Sequence, residues 1–292
     1  MKSYYWIIVK NNFEINNKIK FEYCVKLIGL TTVLLISIID CFVVVDISLS
    51  ILYLLPIAFA SWYSRSWFSI VLVLVSTISW FIAELAAKGN VYLPLLIWNT
   101  TVRLVVFLTI AYLLSNLKSA YEREKYLAQN DGLTEIVNRR FFLEILQAEY
   151  KRSLRYKRAF TLAYFDLDNF KEINDRFGHQ TGDRLLKLVA QTSRKQIRKF
   201  DTIARMGGDE FALLLPETNY ENAKPVLDRL QQHLIEAVKA YSPTISFSIG
   251  AVTFITLPNS IDEILETADN LMYEVKKSGK NGIKHQSFNK SQ

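Results

Sequence analysis

Residues 202–215 read TIARMGGDEFALLL. Thr202–Met206 and Glu210–Leu215 are two short, mainly apolar runs, and Gly207-Gly208 lies between them. Glycines supply the positive φ that tight turns require, so the pattern predicts two strands joined as a hairpin. The turn also carries two carboxylates, Asp209 and Glu210.

Outward from the hairpin, helix and strand patterns alternate. Phe141–Tyr156 reads as a helix. Ala159–Phe165 (AFTLAYF) reads as a buried strand that ends at Asp166, with Asp168 two residues on. Phe170–Phe177, Arg184–Arg198, Asn219–Ala240 and Ile261–Lys277 read as helices. Thr244–Phe254 reads as a strand, with Ile245, Phe247 and Ile249 alternating. This order predicts an α+β sheet with helices packed on it. A hairpin pairing beside the first strand would bring Asp166, Asp168, Asp209 and Glu210 to one sheet edge. A hard divalent cation wants such oxygens, and Mg²⁺ in phosphate-transfer sites takes one or two carboxylates plus substrate phosphates. Two metals could activate a hydroxyl nucleophile and stabilise a leaving pyrophosphate, a polymerase-like layout. Acids in turns are also ordinary solvated or capping residues, and spacing alone leaves both readings open.

Composition divides the 292-residue chain. Residues 1–115 hold all five Trp but only 8 of the 35 Lys and Arg and 5 of the 28 Asp and Glu. The first part is mostly apolar and the remainder reads as a soluble domain, which excludes a disordered or collagen-like chain and a single soluble globule. The net charge of +7 is spread among acids rather than concentrated in a stripe, so no nucleic-acid partner is expected. Cys24 and Cys41 lack CxxC or His neighbours, against a disulfide scaffold or zinc site.

Four apolar stretches, roughly 27–45, 49–64, 67–87 and 92–115, predict an all-α transmembrane bundle. The alternative is three spans plus a re-entrant segment, because the second stretch is short and contains Pro56. The segment before residue 25 does not resemble a cleaved signal peptide. Lysines 2, 10, 18, 20 and 26 precede the first span, and Lys118, Arg123 and Lys125 follow the fourth. Asp46 lies in the first loop, Arg65 in the second, and Glu84 and Lys88 cancel around the third. The positive-inside rule then puts both termini in the cytoplasm of a multi-pass protein of a bacterial-type inner membrane. Asn99 and Arg103 share one face of the fourth span, and with an acid such as Asp40 or Glu84 they are candidates for a polar sensing pocket. An interhelical pair that only fixes packing, or side chains snorkelling to the interface, is the alternative. Residues 116–130 read as a helical connector. Leu114, Leu117, Tyr121 and Ala128 have coiled-coil-like spacing, interrupted by Glu124.

Residues 131–287 carry a resemblance more specific than any of these patterns. Gly207–Phe211 is the GGDEF signature of the diguanylate cyclase family. Asp131-Gly132-Leu133-Thr134 with Asn138-Arg139-Arg140 resembles that family's DxLTxLxNRR block, with Ile136 in place of Leu. Phe165–Lys171 with Ile173-Asn174-Asp175 resembles FDxDxFKxIND, and Gly178-His179 with Gly182-Asp183 matches GHxxGD. Tyr273, Lys276, Gly279, Lys280 and Asn281 resemble the closing YxxKxxGRN, with Lys280 where Arg is usual.

The resemblance implies a palm-like fold, similar to nucleotide cyclases and ferredoxin-like domains. It implies condensation of two GTP into cyclic di-GMP and two pyrophosphates by a homodimer. Carried over residue by residue, it implies catalytic Asp166, Asp209 and Glu210. Mg²⁺, or Mn²⁺, would be held by Asp166, Glu210 and the Leu167 carbonyl with help from Asp209. Gly207 and Gly208 would leave room for the nucleotide, and Asn174 and Asp183 would read guanine. Lys171, Lys276 and Lys280 would neutralise the triphosphate, although lysine offers a point charge where arginine offers a fork. Arg198 and Asp201 form an RxxD that resembles the family's product-inhibition site, and Arg229 is a further arginine for it. His179 is expected to order a turn, and His233 and His285 receive no role. A catalytically silent receptor for GTP or cyclic di-GMP is the alternative, though receptors of this kind typically have damaged signatures and this one is intact.

Overall fold

A computed structural model describes residues 2–42, 49–64, 66–88, 92–239, 241 and 244–289, apart from the side chains of 2–19, 41, 49, 66, 87 and 88. Asp46 and Arg65, and the side chains of Lys2, Lys10, Lys18, Cys41 and Lys88, therefore lie outside the described residues. The chain divides into two compact units, Met1–Arg123 and Glu124–Gln292.

The first unit is helical: α1 (Lys2–Phe42), a 3₁₀ turn (Leu49–Tyr53), α2 (Leu54–Tyr63), α3 (Ser66–Lys88) and α4 (Leu93–Gln129). Among the described residues three stretches are long and apolar enough to cross a membrane: Lys20–Asp40, Trp67–Ala86 and Leu93–Gln129. The second apolar stretch folds as the 3₁₀ turn running into α2, about 25 Å together at about 2.0 and 1.5 Å per residue, short of the ~30 Å hydrocarbon thickness. Pro56 sits in its first turn, where the missing amide breaks no helical bond. Gly29 lets α1 approach α3, since a Cβ there would lie 2.9 Å from Leu72 Cδ1. Residues 116–129 are the continuation of α4 without a break, so the connector belongs to the same helix as the fourth apolar stretch.

The second unit is a six-stranded sheet covered on both faces. Its elements are β1 (Val137–Asn138), α5 (Arg139–Tyr156), β2 (Phe160–Asp168), α6 (Phe170–Phe177), α7 (His179–Gln196), β3 (Thr202–Gly207), β4 (Glu210–Leu215), α8 (Tyr220–Val238), β5 (Ser246–Phe254), α9 (Ile261–Lys277) and β6 (Gly282–Phe288). The strand order is β1-β3-β4-β2-β5-β6. The hairpin pairs beside β2 as the acid pattern required, and β2 is antiparallel to both β4 and β5.

Alternation along β2 sorts its side chains between two cores. Ala163, Phe165 and Leu167 join α7 and α8 on one face. Leu162 and Tyr164 join α5 and α9 on the other. Both faces are covered, so all nine β2 positions are buried, and the strand reads as an apolar run broken by Thr161, Asp166 and Asp168. Asp166 and Asp168 share the parity of Tyr164 and so belong to the α5–α9 face.

Several boundaries differ from the sequence reading. β2 continues through Asp168, because β5 pairs with it as far as Ser246. α7 begins at His179, not Arg184, so Asp183 stands in its second turn rather than at its start. The strands β1 and β6 were not expected. β1 has two residues, and β6 (GIKHQSF) is polar along much of its length and forms only because β5 offers a parallel partner.

Candidate active site

Register brings the acids together. Glu210, the first residue of β4, pairs with Asp166 on β2. The Leu167 amide donates to the Asp209 carbonyl at 3.4 Å, which ties the hairpin turn to β2. Gly207 (φ 156°) and Gly208 (φ 50°) form the turn, and a Cβ on either would meet nothing within 4 Å of this chain. The space above the turn is therefore open to a ligand. Arg205 braces it from behind, donating to the Gly208 carbonyl at 2.8 and 3.0 Å and to Asp131 Oδ1 at 3.1 Å. Asp131 also accepts from the Thr134 amide and hydroxyl. Burial acts to raise the Asp131 pKa, but Thr134 and Arg205 outweigh it and hold it below the ordinary value.

The acids are crowded and partly desolvated. Burial pushes Asp166 up to about 6; the Lys276 ammonium, 2.8 Å from Oδ2, works against the rise, and Asp209 and Asp168 add to it. Burial also raises Asp209, opposed by its own backbone and by Lys276. Tyr164 donates its hydroxyl to Glu210 Oε2 at 2.9 Å, and burial with the Glu210 charge raises the phenol pKa. Asp269 on α9 is a further acid that the sequence reading missed. Burial, then Glu210, raise its pKa, while Lys276 lowers it. Among the described residues no three acid, His or Cys side chains close a metal cage. The donor set is two hard carboxylates in direct register, Asp166 and Glu210, with Asp209 adjacent. That suits a cation carried in with phosphates rather than one caged by protein alone.

Asp168 departs from the expected acidic cluster. The residue is 2% exposed, and its carboxylate accepts from Ser246 Oγ (2.6 Å), Ser248 Oγ (2.7 Å) and the Asn281 amide (3.1 Å). Lys280 Nζ donates to Asn169 Oδ1 at 2.7 Å.

The predicted guanine readers stand on α6 and α7, a helical pair joined at Gly178 (φ 82°). Asn174 Oδ1 is buried and has no hydrogen-bond partner among the described residues. Gly182 makes room for it, since a Cβ there would lie 2.0 Å from that oxygen. Asp183 and Lys171 are exposed on the same pair.

Arg198 and Asp201 form a closed loop between α7 and β3. The Arg198 amide donates to Asp201 Oδ2 at 2.8 Å and the Asp201 amide to the Arg198 carbonyl at 3.1 Å. A cavity of about 300 Å³ opens beside them, lined also by Arg194, Glu135 and Asn130. Burial raises the Asp201 pKa, while the Arg198 amide and the Arg198 and Arg229 charges act the other way. Arg229 donates to the Gln196 carbonyl at 2.8 Å. In the first unit, Asn99 and Arg103 line a cavity of about 390 Å³ with Ser50 and Leu54, and the Arg103 guanidinium lies 3.5 Å from the Trp80 ring centroid.

A central antiparallel sheet with acids at a glycine hairpin, covered by helices on both faces, is the palm-like arrangement. Solved structures share it. The coiled coil and GGDEF domain of DgcB from Caulobacter crescentus, in complex with c-di-GMP, matches with a TM-score of 0.52 and 27% identity, covering 59% of this chain and 92% of that one. The diguanylate cyclase SiaD from Pseudomonas aeruginosa, in complex with its activator SiaC, matches at 0.51 and 28%, covering 80% and 91%. Residues 128–282 match the family described as diguanylate cyclase, GGDEF domain, and the chain belongs to that family. The probable diguanylate cyclase DgcT of Escherichia coli (strain K12) is 33% identical over 194 residues, which are 63% of this chain and 42% of the relative. The diguanylate cyclase DgcP of Pseudomonas aeruginosa is 37% identical over 169 residues, 56% of this chain and 25% of the relative. The chain thus spans less than half the length of these curated relatives.

Proposed function

We propose that this chain is a membrane-anchored diguanylate cyclase that condenses two GTP into cyclic di-GMP and releases two pyrophosphates. The observation that carries the reading is the direct register of Asp166 with Glu210 beside an open Gly207-Gly208 turn, in a domain of the GGDEF family.

In this reading Asp166, Glu210 and the Leu167 carbonyl hold Mg²⁺ or Mn²⁺, with Asp209 alongside. The metal, when bound, neutralises triphosphate charge and eases ionisation of the attacking 3′-hydroxyl. Tyr164 fixes the Glu210 carboxylate. Lys276 holds the Asp166 charge until substrate arrives and then faces the triphosphate with Lys171 and Lys280. Asn174 and Asp183 read guanine: a carboxylate accepts from the N1–H and amino group, and an amide can serve the other edge. Each domain offers one half-site. The 3′-oxygen of each GTP bonds to the α-phosphorus of the other as the bond to pyrophosphate breaks, so turnover needs a homodimer. The exposed Leu117 and Tyr121 on α4 fit a helical contact with a second copy. Arg198, Asp201 and Arg229 supply a site for product inhibition, since arginine forks bind phosphate and guanine edges and the acid can accept from guanine. Asn99 and Arg103 form the sensing pocket in a bundle with four passes through an inner membrane and both termini cytoplasmic, the second and shortest pass being the 3₁₀ turn Leu49–Tyr53 together with α2.

The test uses the full-length chain in lipid nanodiscs, incubated with GTP and Mg²⁺, with nucleotides separated by chromatography. Wild type is expected to yield cyclic di-GMP and Asp209→Ala none. Added product should slow the wild type and leave Arg198→Ala running. A chain that binds GTP or cyclic di-GMP but forms no product is a receptor, and the enzyme reading falls.

A further inference from the structure

Asp168 looks like a metal ligand by position, two residues beyond Asp166, yet its surroundings serve something else. A carboxylate has about four acceptor sites. Three of them are taken, by Ser246, Ser248 and the Asn281 amide, and the group is buried. The two serines alternate along β5, and Ser246 pairs with Asp168 in register. The third donor comes from the other side of the site, the turn between α9 and β6.

That turn is conformationally expensive. Gly279 (φ 120°), Lys280 (φ 64°) and Asn281 (φ 49°) are three successive residues with positive φ, and two of them carry a Cβ. Such backbone costs of order 1–3 kcal/mol per residue and persists only where its surroundings over-determine it. Here the Lys280 amide donates to the Val275 carbonyl at 3.0 Å and the Asn281 amide to Asp168. The next residue after Asp168 holds the same turn by its side chain. Asn169, itself at φ 64°, accepts from Lys280 Nζ and donates from Nδ2 to the Thr244 carbonyl at 3.0 Å. A lysine ammonium on a four-carbon stem has no preferred direction of its own. Asn169 gives it one.

We infer that Asp168 is a positioning residue: its buried carboxylate, bonded to Ser246, Ser248 and the Asn281 amide, holds the Gly279–Asn281 turn so that Lys280, steadied by Asn169, stands where the triphosphate binds. The inference rests on the cyclase reading for the identity of the ligand. It divides the two lysines of the closing block: Lys276 answers to Asp166, and Lys280 to Asp168 and Asn169.

The test measures binding of a fluorescent, non-hydrolysable GTP analogue to the full-length chain, with the Mg²⁺ midpoint read for each variant at saturating analogue. Asp168→Asn is expected to weaken the analogue about tenfold, the loss of one charge-assisted contact, with the Mg²⁺ midpoint unchanged. Lys280→Ala should do the same, and the double variant should be no weaker than either single one. Asn169→Ala leaves the buried carboxylate intact and should weaken binding several-fold, so the idea stays testable if Asp168→Asn fails to fold. A Mg²⁺ midpoint that moves in Asp168→Asn as it does in Asp166→Asn makes Asp168 a metal ligand and overturns the proposal. So do losses that multiply in the double variant, or an Asn169→Ala chain that binds as wild type while Lys280→Ala is weakened. Wild type that binds the analogue but makes no cyclic di-GMP sinks the cyclase reading alone. Wild type that binds no analogue sinks the nucleotide site and this inference with it.

Discussion

Replacing Gly182 by alanine sets a methyl group 2.0 Å from Asn174 Oδ1, 3.0 Å from its Cγ and 3.1 Å from Phe170 Cζ. Ordinary contact begins near 3.4 Å, so the amide must retreat by more than an ångström. The obstacle is the far end of a side chain, not backbone, so the fold survives. The strained amide rotamer costs about 1 kcal/mol. The larger effect falls on the ligand. Asn174 Oδ1 is buried without a partner among the described residues, and the guanine hydrogen bond that the cyclase reading gives this amide is lost once it turns away. One such bond is worth about 1.5 kcal/mol, so the KM for GTP should rise about tenfold. The assay is cyclic di-GMP production by the full-length chain over a GTP series, beside Asn174→Ala and the double variant. Gly132→Ala is the control, because a Cβ there meets nothing within 4 Å. The double variant should be no worse than Asn174→Ala, since both changes remove one contact. A Gly182→Ala chain with wild-type KM, or a double variant in which the losses multiply, would refute the coupling.

Three further expectations follow from the same geometry. Gly250→Ala should destabilise the chain by at least ~2 kcal/mol in thermal melts, because the new Cβ would lie 2.1 Å from the Met272 amide nitrogen and 2.4 Å from the Ala268 carbonyl, so α9 must lift off the sheet. Tyr164→Phe removes the donor on Glu210 and should raise the Mg²⁺ needed for half-maximal activity by about fivefold at unchanged secondary structure; an unmoved midpoint would show that the hydroxyl is idle. The folded Asp166 carboxyl sits at about 6 against 3.8 for an ordinary aspartate, so the folded chain holds this proton more tightly than the unfolded chain. Its share of stability is present below the lower value and is lost as pH rises through the higher one. In metal-free buffer the melting temperature of wild type should therefore fall relative to Asp166→Asn between about pH 4 and about pH 6, and parallel curves would count against it.

The hairpin and its acids were legible because glycine placement and alternation are local signals. Tyr164, Asp166 and Glu210 meet through the β2–β4 register, of which the parity of the apolar positions fixes the face but not the exact pairing. The partners of Asp168 were not legible. Ser246 and Ser248 are about eighty residues away, and nothing in their own neighbourhood marks them as donors to an acid. Asp269 escaped notice because it sits on an amphipathic helix whose exposed face also carries Asp262, Glu266, Glu274 and Lys277. β6 lacks a period of its own, since an edge strand in parallel pairing takes its shape from its neighbour. The start of α7 was placed late because Gly178 and Gly182 read as turn residues, whereas Gly182 lies inside the helix to clear Asn174.

The short strand β1 has a mechanical consequence. Asn138 donates to the Ala128 carbonyl in the last turn of α4 and to the Asn130 carbonyl, and its own oxygen caps α5. The same residue is paired with Arg205, whose guanidinium grips the carbonyl of Gly208. Between the end of the long helix and the glycine turn there are thus two side chains and one strand pairing, which bypass the turn at 130–136. These contacts form a continuous hydrogen-bonded path from the final turn of α4 to the Gly208 carbonyl, one residue from Asp209.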